Sequence, residues 1–345
     1  MDARDDIRFE TRGSAGWVTL SRPQALNALT HAMCIALESQ LRAWADDDAV
    51  RFVVIEGEGR AFSAGGDIQA LYDARQNPLY RFFADEYRLN ALIRRFAKPY
   101  VALIDGIVMG GGVGVSVHGS HRVLTQNATF AMPEVGIGFF PDVGGSYFLP
   151  RMAGCTGIWM GLTGARAKWG DCLAWGFATH CVEAGDLDAL KQRLAQVAHP
   201  DAALAEFAIV PPPETSDADR AAIDRAFAGD SLDAILSAAR HEADHAAEWA
   251  KRDAAAFSRH SPTSLHVALR QLREGGSLSM DDCMRMEYRI VTRMLQGADF
   301  YEGIRAAIID KGDTPRWRPA TLGEVSPGAV DAFFAALPGG ELELQ

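Results

Sequence analysis

The stretch Met109–Gly145 reads MGGGVGVSVHGSHRVLTQNATFAMPEVGIGFFPDVGG. A triple glycine opens it, and two acids, Glu134 and Asp142, stand eight residues apart near its end. Lacking a Cβ, glycine lets backbone N–H groups approach a ligand closely. A carboxylate can act as nucleophile, base or acid. Backbone donors beside paired acids suit chemistry at a carbonyl, where charge builds on oxygen.

Working outward, short apolar runs alternate with helical spacing through the first third of the chain. Trp17–Leu20, Phe52–Glu56 and Tyr100–Ile104 read as strands, and His121–Leu124 and Thr129–Ala131 as two more. Thr30 is placed to cap a helix through Trp44, with Met33, Leu37 and Leu41 as its apolar stripe. Phe82–Phe96 predicts a second helix, and Gly106–Gly114 is expected to open a third. Such alternation points to an α/β core. After about residue 155 the strand signals fade, and Asp186–Val197 is amphipathic. PPPET at Pro211–Thr215 is the clearest break, and helical patterns follow through Ala307. The expected division is a core over residues 1–200 and a mostly helical region over 201–345. Asp310–Pro319 reads as a loop, and the tail Pro338–Gln345 as disordered.

Composition excludes some classes. The 345 residues are 48% hydrophobic, enough for a sizeable core. The 34 basic and 45 acidic residues give a net charge of −11, which argues against a general nucleic-acid binder. A local basic site for an anionic small molecule stays open. The apolar runs are too short for a membrane span. The charged start MDARDDIRFE lacks an apolar signal core, so the cytoplasm is the expected location. Five scattered cysteines form no CxxC pair, which suggests neither zinc nor a disulfide framework.

Each motif has a bland and a sharp reading. AFSAGGD at Ala61–Asp67 is either a glycine turn or a loop aiming the Gly66 N–H at a developing charge. GGGVG at Gly110–Gly114 matches the dinucleotide fingerprint poorly. It either allows close helix packing or supplies a second donor from Gly111. Around the two acids, MPEVGIGFFPDVGG offers few ways to solvate a charge. An acid there is paired, protonated or functional. Glu86 lies in the helical stretch FFADEYRLNALIRRF, where most glutamates face water. His118 and His121 read as structural histidines rather than metal ligands.

Together these strings resemble the enoyl-CoA hydratase/isomerase (crotonase) superfamily. The resemblance runs through SRPQALNALT, AFSAGGDI, KPYVALIDGIVMGGGVG, FAMPEVGIGFFPDVGGSYFLPR and LTGARAKWGDCLAWGFATH, over roughly residues 10–185. It implies a crotonase-like (ClpP/crotonase) α/β spiral of ββα units with a helical C-terminal region. It implies an acyl-CoA substrate, with the thioester oxygen held by the N–H groups of Gly66 and Gly111. CoA would be gripped near Ala28, Ala64 and Gly66, with no cofactor beyond the CoA of the substrate. Glu86 falls on a substrate-contact position, and Glu134 and Asp142 on those of catalytic acids. Trimers or pairs of trimers are the family's habit.

Hydratases of the superfamily place a first catalytic glutamate three residues after the oxyanion glycine, and here that residue is Gly114. Several strings, with Asp299–Trp317 (DFYEGIRAAIIDKGDTPRW), look like a branch that hydrolyses acyl-CoA thioesters. Hydrolysis is therefore the expected reaction. An enoyl-CoA hydratase or isomerase of altered specificity, or a non-catalytic acyl-CoA-binding protein, are the alternatives.

Overall fold

The computed structural model describes residues 6–245 and 247–344. Nine strands are assigned: β1 (Ile7–Arg12), β2 (Ala15–Leu20), β3 (Phe52–Gly57), β4 (Ala61–Ser63), β5 (Tyr100–Ile104), β6 (Ile107–Met109), β7 (His121–Leu124), β8 (Thr129–Ala131) and β9 (His180–Cys181). One sheet has the order β1-β2-β3-β5-β7-β9, and a second has the order β4-β6-β8. Only β1 and β2 pair antiparallel; every other pairing is parallel. Parallel neighbours need crossover connections. Three times the chain runs one strand in the large sheet, then one in the small sheet, then helix, and returns. This is the α/β spiral of ββα units that the resemblance implies.

β2 and β5 are buried along their whole lengths. That follows from a parallel sheet covered on both faces. Trp17, Phe52, Val54, Val101 and Leu103 pack under Leu187, Leu190 and Leu204 of the outer helices, while Val53, Ile55, Ala102 and Ile104 face the main core. The helix His31–Ala45 is capped by Thr30, whose hydroxyl accepts from the Met33 N–H at 3.2 Å, as its spacing predicts.

Three expectations need correction. Gly106–Gly114 does not simply open a helix. Ile107–Met109 first pair with β4 and β8, and the helix starts at Gly111. A three-residue strand has too few side chains to display a period. Glycine-rich AFSAGGD likewise contains β4. The tail is not loose: Leu342 is buried, Arg289 pairs with Glu341 at 2.8 Å, and Arg88 donates to the Glu343 carbonyl at 3.0 Å. A further helix, Pro327–Phe334, precedes it. The start of MDARDDIRFE and Gln345 lie outside the described residues. Asp310–Pro319 is a loop, anchored where Trp317 Nε1 donates to the Arg259 carbonyl at 2.8 Å.

Candidate active site

Two loops meet to form the first wall of the site. The Ala64 N–H donates to the Leu26 carbonyl at 2.9 Å, the Leu29 N–H to Gly65 at 2.8 Å, and the Asp67 N–H to Leu29 at 3.0 Å. Ala28 and Ala64 thus lie on adjoining loops. Asn27, with φ 55°, stabilises this corner from a buried position: its amide donates to the carbonyls of Glu58 and Ala61, each at 2.8 Å. Nothing about Asn27 alone announces this in the sequence.

The glycine run forms the second wall. Gly110 adopts φ 47° and ψ −126°, a conformation that favours glycine, and so ends β6 and starts the helix Gly111–Gly114. A Cβ on Gly111 would stand 3.3 Å from the Gly66 nitrogen and 2.7 Å from Glu86 Oε1. The two candidate donors are therefore neighbours. Among the described residues, neither the Gly66 nor the Gly111 N–H has an acceptor. The first N–H of a helix has no partner within it.

The seven candidate substrate and catalytic residues line one cavity of about 740 Å³: Ala28, Ala64, Gly66, Glu86, Gly111, Glu134 and Asp142. Glu134 opens a short 3-10 turn with one carboxyl oxygen lacking a partner, and its other oxygen lies against Gly110. Burial, then the nearby Asp142 carboxyl, pushes its pKa well above the ordinary range. Asp142 accepts the Tyr87 hydroxyl at 2.9 Å. Burial raises its pKa to about 7, against the lowering effect of that hydrogen bond. Glu86 does not face water. It is 2% exposed on the buried stripe of the helix Tyr80–Arg95, and Oε1 has no partner. Burial first, then Asp142, holds its pKa well up.

The turn carrying Asp142 is held from below. Val143 adopts φ 51°, costly for a β-branched residue, on the order of 1–3 kcal/mol. Buried His118 bonds the Val143 carbonyl through Nε2 at 2.7 Å. Burial drops the His118 pKa to about 4, so it is a neutral structural donor near pH 7. His121 bonds Asp201 at 2.7 Å and stacks on His180; no metal-holding cluster occurs among the described residues.

Gly114 is closed over. A Cβ there would meet Val143 Cβ at 2.7 Å and Asn90 Nδ2 at 2.8 Å. No longer side chain fits without displacing both.

Sequence reasoning assigned no role to five contributors. Phe300, Ala307 and Ile308 line the cavity from within the string Asp299–Trp317, where no chemically reactive side chain marked them as site residues. Tyr87 was unmarked although it bonds Asp142. Glu287, fully buried, accepts the Gly144 N–H at 2.8 Å, the Ser146 N–H at 3.0 Å and the Ser146 hydroxyl. Burial raises its pKa to about 8.

A ββα spiral with paired unbonded N–H groups over buried acids defines a class, and the chain belongs to it. It matches the enoyl-CoA hydratase/isomerase family over residues 15–334. Among its relatives is the mitochondrial 3-hydroxyisobutyryl-CoA hydrolase of Gallus gallus, 42% identical over 99% of this chain and 92% of the relative. Two solved structures are also similar. One, described as a carnitinyl-CoA dehydratase from Mycobacterium thermoresistibile, is 42% identical over 99% of each chain, with a TM-score of 0.93. The other, described as an enoyl-CoA hydratase from Rhodobacter sphaeroides, is 38% identical over 98% of this chain and 100% of its own, with a TM-score of 0.87.

Proposed function

We propose that this protein hydrolyses an acyl-CoA thioester, 3-hydroxyisobutyryl-CoA, to 3-hydroxyisobutyrate and CoA. The observation that carries the reading is the closure of Gly114 by Val143 and Asn90. A hydratase needs a proton-delivering side chain there, and this fold leaves it no room. The two remaining acids, Glu134 and Asp142, share the cavity with the paired N–H groups.

The thioester oxygen takes the N–H groups of Gly66 and Gly111. Losing one such donor costs roughly 3–4 kcal/mol of barrier. Glu134 either activates water or attacks the carbonyl carbon itself. Direct attack breaks the C–S bond, releases CoA thiolate and leaves a mixed anhydride. Water then cleaves the anhydride, returning the Glu134 carboxylate and the free acid. Asp142 binds the acyl hydroxyl or passes a proton to the thiolate, and Glu86 shapes the acyl pocket. Ala28, Ala64 and Gly66 hold CoA, and no cofactor is used beyond it. The place in metabolism is valine breakdown.

The names of the two similar structures favour a second reading, hydration or dehydration. One assay separates the readings: free-thiol release from 3-hydroxyisobutyryl-CoA against absorbance loss of an enoyl thioester. Hydrolysis requires thiol release that collapses in Glu134→Ala and falls in Asp142→Ala. Full turnover in Glu134→Ala would overturn its role. Tight CoA binding with no turnover of a thioester panel would mark a binding protein instead.

Five free thiols suit a reducing compartment, and we place the protein in the cytoplasm, although the Gallus gallus relative is named mitochondrial. Among the described residues no helix is long and apolar enough to cross a membrane. Assembly as a trimer or hexamer is testable by sedimentation.

A further inference from the structure

The turn Pro141–Ser146 carries Asp142 and has one closing bond of its own, from the Gly145 N–H to the Asp142 carbonyl at 2.8 Å. It contains Val143 at φ 51° and Gly144 at φ 89°. Besides His118 at the Val143 carbonyl, side chains from two C-terminal helices hold its backbone groups. Gln271, on the helix Pro262–Gly275, donates to the Pro141 carbonyl at 2.5 Å. Glu287, on the helix Met280–Met294, accepts from Gly144 and Ser146. Gln271 and Glu287 are both fully buried.

The chemistry of the Glu287 contacts is specific. Three donors converge on its two oxygens: two backbone N–H groups and the Ser146 hydroxyl. A carboxyl oxygen keeps acceptor capacity even when it carries the proton, so Glu287 meets all three groups in either state, whereas a glutamine presents at one position an NH₂ that accepts nothing. That NH₂ would face an N–H, donor against donor. An alanine would leave all three donors buried and unpaired.

From this geometry we infer that Glu287 is a positioning residue for Asp142, and that the C-terminal helices serve the reaction by clamping its turn. Glu287 touches the backbone of Gly144 and Ser146, while the Asp142 carboxyl takes its side-chain hydrogen bond from Tyr87. Releasing the clamp lets the turn relax from its strained conformation and moves Asp142 off the substrate. A misplacement of about 1 Å costs on the order of 100-fold in rate. The inference rests on the proposed role of Asp142, and a mutant cycle separates the two claims.

Thiol release is measured for Glu287→Gln, Asp142→Asn and the double variant, with thermal melting to confirm folding. Glu287→Gln should lower kcat at least about tenfold with KM within about twofold. In the Asp142→Asn background the same change should cost less than about twofold, because a misplaced group already removed cannot be lost again. An equal loss in both backgrounds, or a loss carried by KM, overturns the inference. If Asp142→Asn alone matches wild type, the role of Asp142 fails instead. Should Glu287→Gln not fold, Ser146→Ala removes one of the three donors and the same cycle is run with it. A smaller loss that vanishes in Asp142→Asn supports the clamp, and no loss overturns it.

Discussion

Glu134 and Asp142 share an apolar cavity, and neither forms an ion pair among the described residues. Burial therefore sets their chemistry, raising Glu134 well up and Asp142 to about 7. Glu134 must be ionised to act as base or nucleophile, so activity falls as pH drops through its raised pKa. Asp142 must hold a proton to hand it to the thiolate, so activity falls as pH rises through about 7. The expected kcat/KM profile is bell-shaped, with limbs belonging to the pair. Asp142→Asn should flatten the alkaline limb, and an unchanged alkaline limb would remove Asp142 from proton transfer. The two oxyanion glycines should also part company. Alanine at Gly111 drives a methyl to 2.7 Å from Glu86 Oε1 and 3.3 Å from the Gly66 nitrogen. It should cost about 100-fold or more in thiol release. At Gly66 the nearest atom to a new methyl is Phe82 Cζ at 3.6 Å, so Gly66→Ala keeps its N–H and most of its activity.

At the scale of elements, the helix Gly111–Gly114 is short because it must do two things. Its first N–H opens into the cavity, and its last residue packs under Val143 and Asn90. Gly114→Ala should destabilise the fold by about 1–3 kcal/mol through overpacking, read as a lower denaturant midpoint. Gly114→Glu should not gain hydratase activity, because Val143 and Asn90 occupy the space. An active, stable Gly114→Glu hydratase would refute the closure. The helix Tyr80–Arg95 supplies both Glu86 and Tyr87 to the site, and its burial follows from two helices packing against it, His31–Ala45 and Met280–Met294. A glutamate on an apparent surface helix cannot disclose such a partner almost 200 residues away in the chain.

The whole molecule holds four buried carboxyls close together: Glu86, Glu134, Asp142 and Glu287, each with a raised pKa. A carboxyl whose folded pKa lies above its unfolded value binds more protons when folded. Its contribution is full below the unfolded value near 4 and is lost as pH rises through the folded one. For Asp142 that upper limit is about 7, and for Glu287 about 8. His118 and His260, depressed to about 4, act oppositely but only below about 6.5. Between pH 7 and 8.5 the carboxyls decide the slope. The melting temperature should therefore be lower at pH 8.5 than at pH 7, and less so in Glu287→Gln. A rise over that interval would mean these acids are not buried as described.

Much of this was legible because local physics carried it. The apolar strands β3 and β5 and the Thr30 cap are written in adjacent residues. So is the glycine run, whose wide freedom marks a backbone that must turn or come close. The absence of a side chain at Gly114 was visible as a letter. That its space is filled by Val143 and Asn90 was not. The tail looked polar and loose, yet Leu342, Glu341 and the Glu343 carbonyl find partners on distant helices. The sequence alone determined the α/β alternation, the two acids and the candidate donors, since each depends on neighbours within a few positions. Only the tertiary structure decided that Glu86 is buried, that Tyr87 bonds Asp142 and Glu287 the turn beside it, and that one cavity gathers Glu86, Glu134 and Asp142. Those outcomes depend on contacts between residues far apart in the chain, which folding alone brings together.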